Sequence, residues 1–151
     1  MEPTIHCGLP KSFCEGNTDD HVIVREVSPS TLRRGDIVAF HTPRRAATAC
    51  GASGTFIKRV VGLPGEIIVG HRDGVLWVDG HRLIERYLHR RSRPNSLFVG
   101  SRWLVPRRSL FLLGDNRTAS CDSRVFGAVP FRNIIGRVPE IDREGRTIAV
   151  S

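Results

Sequence analysis

The dipeptide Asp79-Gly80, set between the apolar runs of GVLWVDGHRLI, constrains this chain more than any other short feature. Asp and Gly tolerate the positive φ angles of a two-residue turn, so the flanking runs are expected to return antiparallel to each other. The same grammar repeats along the chain. HVIVREV alternates and is β-branched, GDIVAF follows a turn-forming RRGD, and TFIKRVVGL is rich in Ile, Val and Phe. Glu144-Gly145 separates GRVPEI from RTIAV as a second turn. Helical periodicity is scarce: the best candidate is a short turn in SRVFGAVPFRNII, where Pro130 would interrupt any long helix. The short, separated strands predict a mainly β, antiparallel fold, and the length of 151 residues, 40% of them hydrophobic, suits one domain with an elaborated insert. Two loops stand out. HTPRRAATACGASG, from His41 to Gly54, reads as an exposed connection, and the arginine-rich YLHRRSRPNSLFVGSRW, from Tyr87 to Trp103, as an insert on the β core.

The net charge of +8 comes mostly from arginine, clustered at Arg33-Arg34, Arg44-Arg45, Arg90-Arg91-Ser92-Arg93 and Arg107-Arg108. Such a charge favours polyanions, and of these an anionic membrane surface fits better than nucleic acid. The basic pairs are scattered over separate loops, and no helix-turn-helix signal, zinc-finger spacing or aromatic stacking motif accompanies them. No metal or other cofactor is expected, because the chain has no C-x-x-C pair and its histidines are dispersed. No run approaches the roughly 18 apolar residues of a spanning helix, and no basic segment followed by an apolar stretch opens the chain, so as written it reads as soluble. Cys7, Cys14, Cys50 and Cys121 permit three complete pairings, with no way to choose among them. A short-loop Cys7–Cys14 bridge would stabilise by about 2–3 kcal/mol outside the cytoplasm. A bridge through Cys121 would instead lock the loop that carries Ser120 and Asp122.

Lys58 lies inside TFIKRVVGL, on the strand face it shares with Phe56 and Val60. A lysine on an apolar face is costly unless it loses its proton or gains a partner, and desolvation lowers its pKa toward that of a general base. The bland alternative is a lysine that snorkels from a strand edge. GDNRTASCDSR changes that balance. Asp115, Arg117, Asp122 and Arg124 supply opposite charges able to hold a loop rigidly, and Ser120 and Ser123 offer hydroxyls able to accept from an ammonium. The triplet Asn116-Arg117-Thr118 also matches a glycosylation acceptor, a pattern short enough to arise by chance.

From Met1 to Pro130 the chain carries MEPT, RRGDIVAF, FIKRVVGLPGE and GDNRTASCDSRVFGAVP in that order, and in this it resembles the catalytic domain of bacterial type I signal peptidases. The resemblance implies an antiparallel, barrel-like β fold with a β-rich insert and little helix. It implies a membrane-bound Ser/Lys endopeptidase, acting as a monomer on the extracytoplasmic side, that removes signal peptides from preproteins after Ala-x-Ala-like sequences. It makes Lys58 the general base and Ser120 the hydroxyl that orients its amine. Asp122 with Arg124 and Asp115 with Arg59 become supporting ion pairs beside Gly114, and Met1 and Pro3 line the substrate cleft. The substrate would lie as an extended strand against shallow apolar pockets.

In that family the first box reads Ser-Met-x-Pro-Thr, and its serine is the nucleophile. This chain starts at the methionine, so the nucleophile is absent before Met1, and loss of a nucleophile costs around 10⁶-fold in turnover. The chain is therefore expected to be inert as it stands, and its natural polypeptide to continue upstream through a serine into a membrane-spanning segment. Two other readings differ from this one. A catalytically dead soluble paralogue would bind signal peptides or the membrane surface without cutting. A self-cleaving repressor-type Ser/Lys domain would be cytosolic and joined to DNA-binding helices, which neither the cysteines nor the start of the chain supports.

Overall fold

Apolar, β-branched runs closed by Gly, Pro or Asp turns set the architecture. The computed structural model describes residues 20–51, 53–88 and 98–150. Within them the strands are β1 (His21–Arg25), β2 (Ile37–His41), β3 (Thr55–Gly62), β4 (Ile67–Gly70), β5 (Leu76–Val78), β6 (His81–Arg82), β7 (Arg102–Leu104), β8 (Ser109–Leu113), β9 (Val129–Pro130), β10 (Ile134–Arg143) and β11 (Arg146–Ala149). The helices are α1 (Arg44–Cys50) and α2 (Ser123–Phe126).

A larger sheet runs in the order β1-β10-β2-β3-β8-β9, with β11 also paired to β10, and a smaller one runs β6-β5-β4-β7. Neighbouring strands pair antiparallel throughout, as the sequence predicts. Asp79 and Gly80 take φ of 47° and 79° in the β5–β6 turn, and Glu144 and Gly145 take 55° and 76° in the β10–β11 turn. Both expected hairpins are therefore formed through left-handed turn residues. Asp79 also accepts a 2.8 Å hydrogen bond from the Ile67 N–H, which ties its turn to β4.

SLFLL of β8 is buried at every position. Leu110 and Leu112 join Val38, Phe40, Val60, Phe126 and Val129 on one side, whereas Phe111 and Leu113 join Val61, Ile68, Leu76 and Val78 on the other. A strand with core on both faces needs continuous rather than alternating apolar residues. Burial of one such leucine contributes about 2 kcal/mol. β3 lies beside β8 and shares both cores, so a polar residue on β3 is held among buried groups.

One expectation needs correction. HTPRRAATACGASG is not merely an exposed connection, because its centre forms α1, entered after Pro43 and left at Gly51 with φ 66°. Proline favours a helix start and left-handed glycine a helix end, and the alanines between them favour the helix itself. Ala46 is fully buried in the core of Phe40 and Phe126. At the far end of the Tyr87–Trp103 segment, Arg102 and Trp103 begin β7, which pairs with β4 at an edge of the smaller sheet. SRVFGAVPFRNII does break up as expected, into α2, β9 and a single 3-10 turn at Phe131–Asn133.

Cys50 at the end of α1 bridges Cys121, 71 residues away, with their Cα atoms 5.9 Å apart. Of the pairings left open by the sequence, this one anchors the loop beside Ser120. Cys7 and Cys14 lie outside the described residues. Among the described residues, no helix is long and apolar enough to cross a membrane.

Candidate active site

Lys58 enters the site from β3, opposite Val38 of β2. Its Nζ lies 5.5 Å from the centroid of the Phe56 ring, on the face that also carries the fully buried Val60. Burial lowers the Lys58 pKa below the ordinary lysine value; the Asp122 and Asp115 carboxylates pull it back up, and Arg124 pushes it down. Desolvation wins, so the neutral amine is favoured more than on an exposed lysine.

The loop after β8 brings Ser120 beside Gly114, where the Lys58 stem also passes. The Ser120 Oγ is buried and has no hydrogen-bond partner among the described residues. A buried hydroxyl left in that state costs about 1–3 kcal/mol, a cost that among the described side chains the Trp77 indole N–H also carries. Gly114 makes the approach possible. A Cβ at that position would lie 2.6 Å from the Ser120 Cβ, closer still to its Oγ, and 3.6 Å from the Lys58 Cδ. Lys58 and Ser120 thus share the space that glycine leaves open.

Buried ion pairs surround the two side chains. On the opposite face of β3, Arg59 donates Nε and Nη2 to the Asp115 carboxylate at 3.0 and 2.8 Å, and Nη1 to the Gly35 carbonyl at 2.8 Å. Asp122 begins α2 and receives Nε and Nη2 of Arg124, both at 2.8 Å, as well as the Gly114 N–H at 3.1 Å. Arg117 donates Nε to the Gly114 carbonyl at 3.0 Å and pairs its guanidinium with Glu85. The peptide units on both sides of Gly114 are consequently fixed by charged groups. Bidentate geometry offsets part of the desolvation cost of such pairs, and the gain is chiefly in orientation.

The family model for signal peptidase, peptidase S26, matches residues 11–141, a span that includes both Lys58 and Ser120. The chain belongs to the signal peptidase family. Signal peptidase I of Leptolyngbya laminosa is 42% identical over 123 residues, which cover 79% of this chain and 58% of that protein. Signal peptidase I V of Bacillus subtilis (strain 168) is 35% identical over 143 residues, covering 87% of this chain and 78% of its own. A crystal structure of a signal peptidase I from Enterococcus faecalis V583 superposes with a TM-score of 0.54 at 31% identity, across 72% of this chain and 97% of that one. The chain spans just under three fifths of the Leptolyngbya laminosa and Bacillus caldolyticus relatives, at 58% and 59% of their lengths.

In this signal peptidase domain the structure brings Lys58, Gly114 and Ser120 together, with the Arg59–Asp115 and Asp122–Arg124 pairs around them. Ser123 departs from the expectation placed on it. It is fully buried, and its Oγ accepts the Leu112 N–H at 2.9 Å, so it secures β8 and does not serve an ammonium. Arg117 departs too: it pairs with Glu85, not with an acidic neighbour in its own loop. Glu85 and Tyr87 carried no sequence signal, because they lie 32 and 30 residues from Arg117 and outside every recognisable box. Met1 and Pro3 lie outside the described residues. Among the described residues, no group of three or more His, Cys, Asp or Glu side chains is arranged to hold a metal ion.

Proposed function

We propose that this domain is the catalytic part of a type I signal peptidase, a Ser/Lys endopeptidase that removes N-terminal signal peptides from preproteins after Ala-x-Ala-like sites. One observation carries the reading: a lysine whose burial favours the neutral amine shares the space above Gly114 with a buried serine hydroxyl that has no partner of its own. A structural lysine has no need of such a companion, whereas a general base must keep a lone pair aimed at its proton donor.

In the reaction, Ser120 Oγ accepts one N–H of Lys58 and turns the amine lone pair toward the nucleophile. That nucleophile is a serine directly ahead of Met1, in the Ser-Met-x-Pro-Thr pattern of the family. As its hydroxyl attacks the scissile carbonyl, Lys58 Nζ takes the proton, then returns it to the leaving amine as the acyl-enzyme forms. Lys58 next takes a proton from water as that water attacks the acyl-enzyme ester; the bond to the serine oxygen breaks, the proton passes from Lys58 to that oxygen, and the signal peptide leaves as its carboxylate. Met1 and Pro3 line the cleft in which the signal peptide lies. The domain works as a monomer on the extracytoplasmic side of the cell membrane, its arginines meeting the anionic surface.

The test is a protein carrying a serine-containing N-terminal extension, assayed on an Ala-x-Ala peptide. Cleavage is expected, and Lys58→Ala should abolish it. Equal cleavage without Lys58 overturns the mechanism, and peptide binding without turnover favours a binding module instead.

A further inference from the structure

Glu85 and Tyr87 stand outside every motif that pointed to the site, yet both pack against it. They follow β6 and so arrive from the smaller sheet, whereas Gly114 and Ser120 follow β8 of the larger one. Glu85 holds the Arg117 guanidinium, with Nη1 donating to Oε2 at 2.9 Å, and it accepts the Tyr87 hydroxyl at 2.6 Å. The side chains of Arg117 and Glu85 are only 1% and 8% exposed. The Tyr87 ring covers the Arg59 guanidinium, whose centre lies 4.1 Å from the ring centroid. From these two residues the contacts lead inward by separate routes: through Arg117 to the carbonyl of Gly114, and through Arg59 to Asp115.

We propose that Glu85 and Tyr87 are positioning residues of the peptidase: they fix the Gly114 carbonyl and the Arg59–Asp115 pair, and so hold the Ser120 hydroxyl in register with Lys58. Neither touches the reacting atoms. Their influence passes through Gly114, where a glycine was needed for Ser120 to fit at all, so a small rotation of that peptide moves the hydroxyl directly. Burial alone would lower the Arg117 pKa, but the Glu85 carboxylate outweighs it and the net shift is upward. Tyr87 stays protonated, its pKa raised by burial and then by Glu85, and so remains a hydrogen-bond donor. A buried ion pair is a poor source of stability, because apolar replacements are often as stable. Its value here lies in direction.

This inference rests on the Ser/Lys reading, and one experiment separates the two. Lys11 and Lys58 are the only lysines in the chain, so protein labelled with ¹³C,¹⁵N-lysine gives two side-chain signals, with Lys11 as the reference. In the parent protein the Lys58 signal should titrate below that of Lys11; if the two titrate together, the Ser/Lys reading fails and takes the inference with it. In Glu85→Gln, loss of a negative charge would by itself lower the Lys58 titration further. Release of the Gly114 carbonyl instead admits water to the amine and raises it toward Lys11. The upward shift is the expected result, accompanied in the serine-extended protein by a roughly 100-fold fall in kcat and little change in KM. The double variant Glu85→Gln/Arg117→Gln leaves no lone buried charge and should show the same shift even if the single variant does not fold. A folded variant in which Lys58 titrates as in the parent, or lower, overturns the proposal and leaves Glu85 a purely structural residue.

Discussion

Gly114→Ala tests the packing of the site against its chemistry. The new methyl group would lie 2.6 Å from the Ser120 Cβ, and ordinary contact requires Ser120 to retreat by about 1 Å. The hydrogen bonds of Gly114 itself use only its N–H, donated to Asp122, and its carbonyl, which accepts from Arg117. They survive the substitution, so the perturbation falls on Ser120. A misplacement of that size costs on the order of 100-fold in turnover, or about 3 kcal/mol of transition-state stabilisation. Overpacking should lower stability by about 1–3 kcal/mol. The assay is cleavage of an Ala-x-Ala peptide by the serine-extended protein, with thermal unfolding followed on the same preparation. Gly114→Ala/Ser120→Gly supplies the control, since removal of the Ser120 side chain returns the space. Its stability should recover and its activity should not. A folded Gly114→Ala protein with parental turnover would refute the argument, because Ser120 would then have no positional role.

Three further outcomes follow from the same geometry. Asp115→Asn leaves the fully buried Arg59 without a counter-charge and should cost about 3–5 kcal/mol in denaturant unfolding, whereas replacement of both partners by apolar residues should cost less. Opening the Cys50–Cys121 bridge with paired serines releases a loop of 71 residues and should cost about 4 kcal/mol, read as a lower Tm in oxidised samples and no difference after reduction. Lys58 binds its proton less readily folded than unfolded, so stability should rise with pH between its lowered value and the ordinary lysine value; the penalty is fully present below that window. Lys58→Met should remove this rise and be more stable than the parent at the acid end, as measured by urea midpoints across pH.

The strand pattern was legible because its signals are local. Asp79-Gly80 and Glu144-Gly145 carry their turn geometry in two residues. Lys58 was legible as a polar break in an apolar strand, and the charged loop as a dense alternation of Asp and Arg. α1 was not, since the Thr, Gly and Ser around it look like loop and its helix is held in place by Ala46 and Cys50 through tertiary contacts. The Ser123 hydroxyl could be spent on the Leu112 N–H only once the loop had folded back on β8. Glu85 and Tyr87 were invisible for a related reason: charge partners separated by about thirty residues have no spacing rule, and only the meeting of the two sheets pairs them with Arg117 and Arg59.

The central claim is that Lys58, as a neutral amine, is the general base. It is tested most directly by recording kcat/KM against pH for the serine-extended protein and overlaying the NMR titration of Lys58. The two midpoints should coincide, both below the titration of Lys11, with activity rising as Lys58 loses its proton. Full activity at a pH where Lys58 is still an ammonium ion would contradict the assignment.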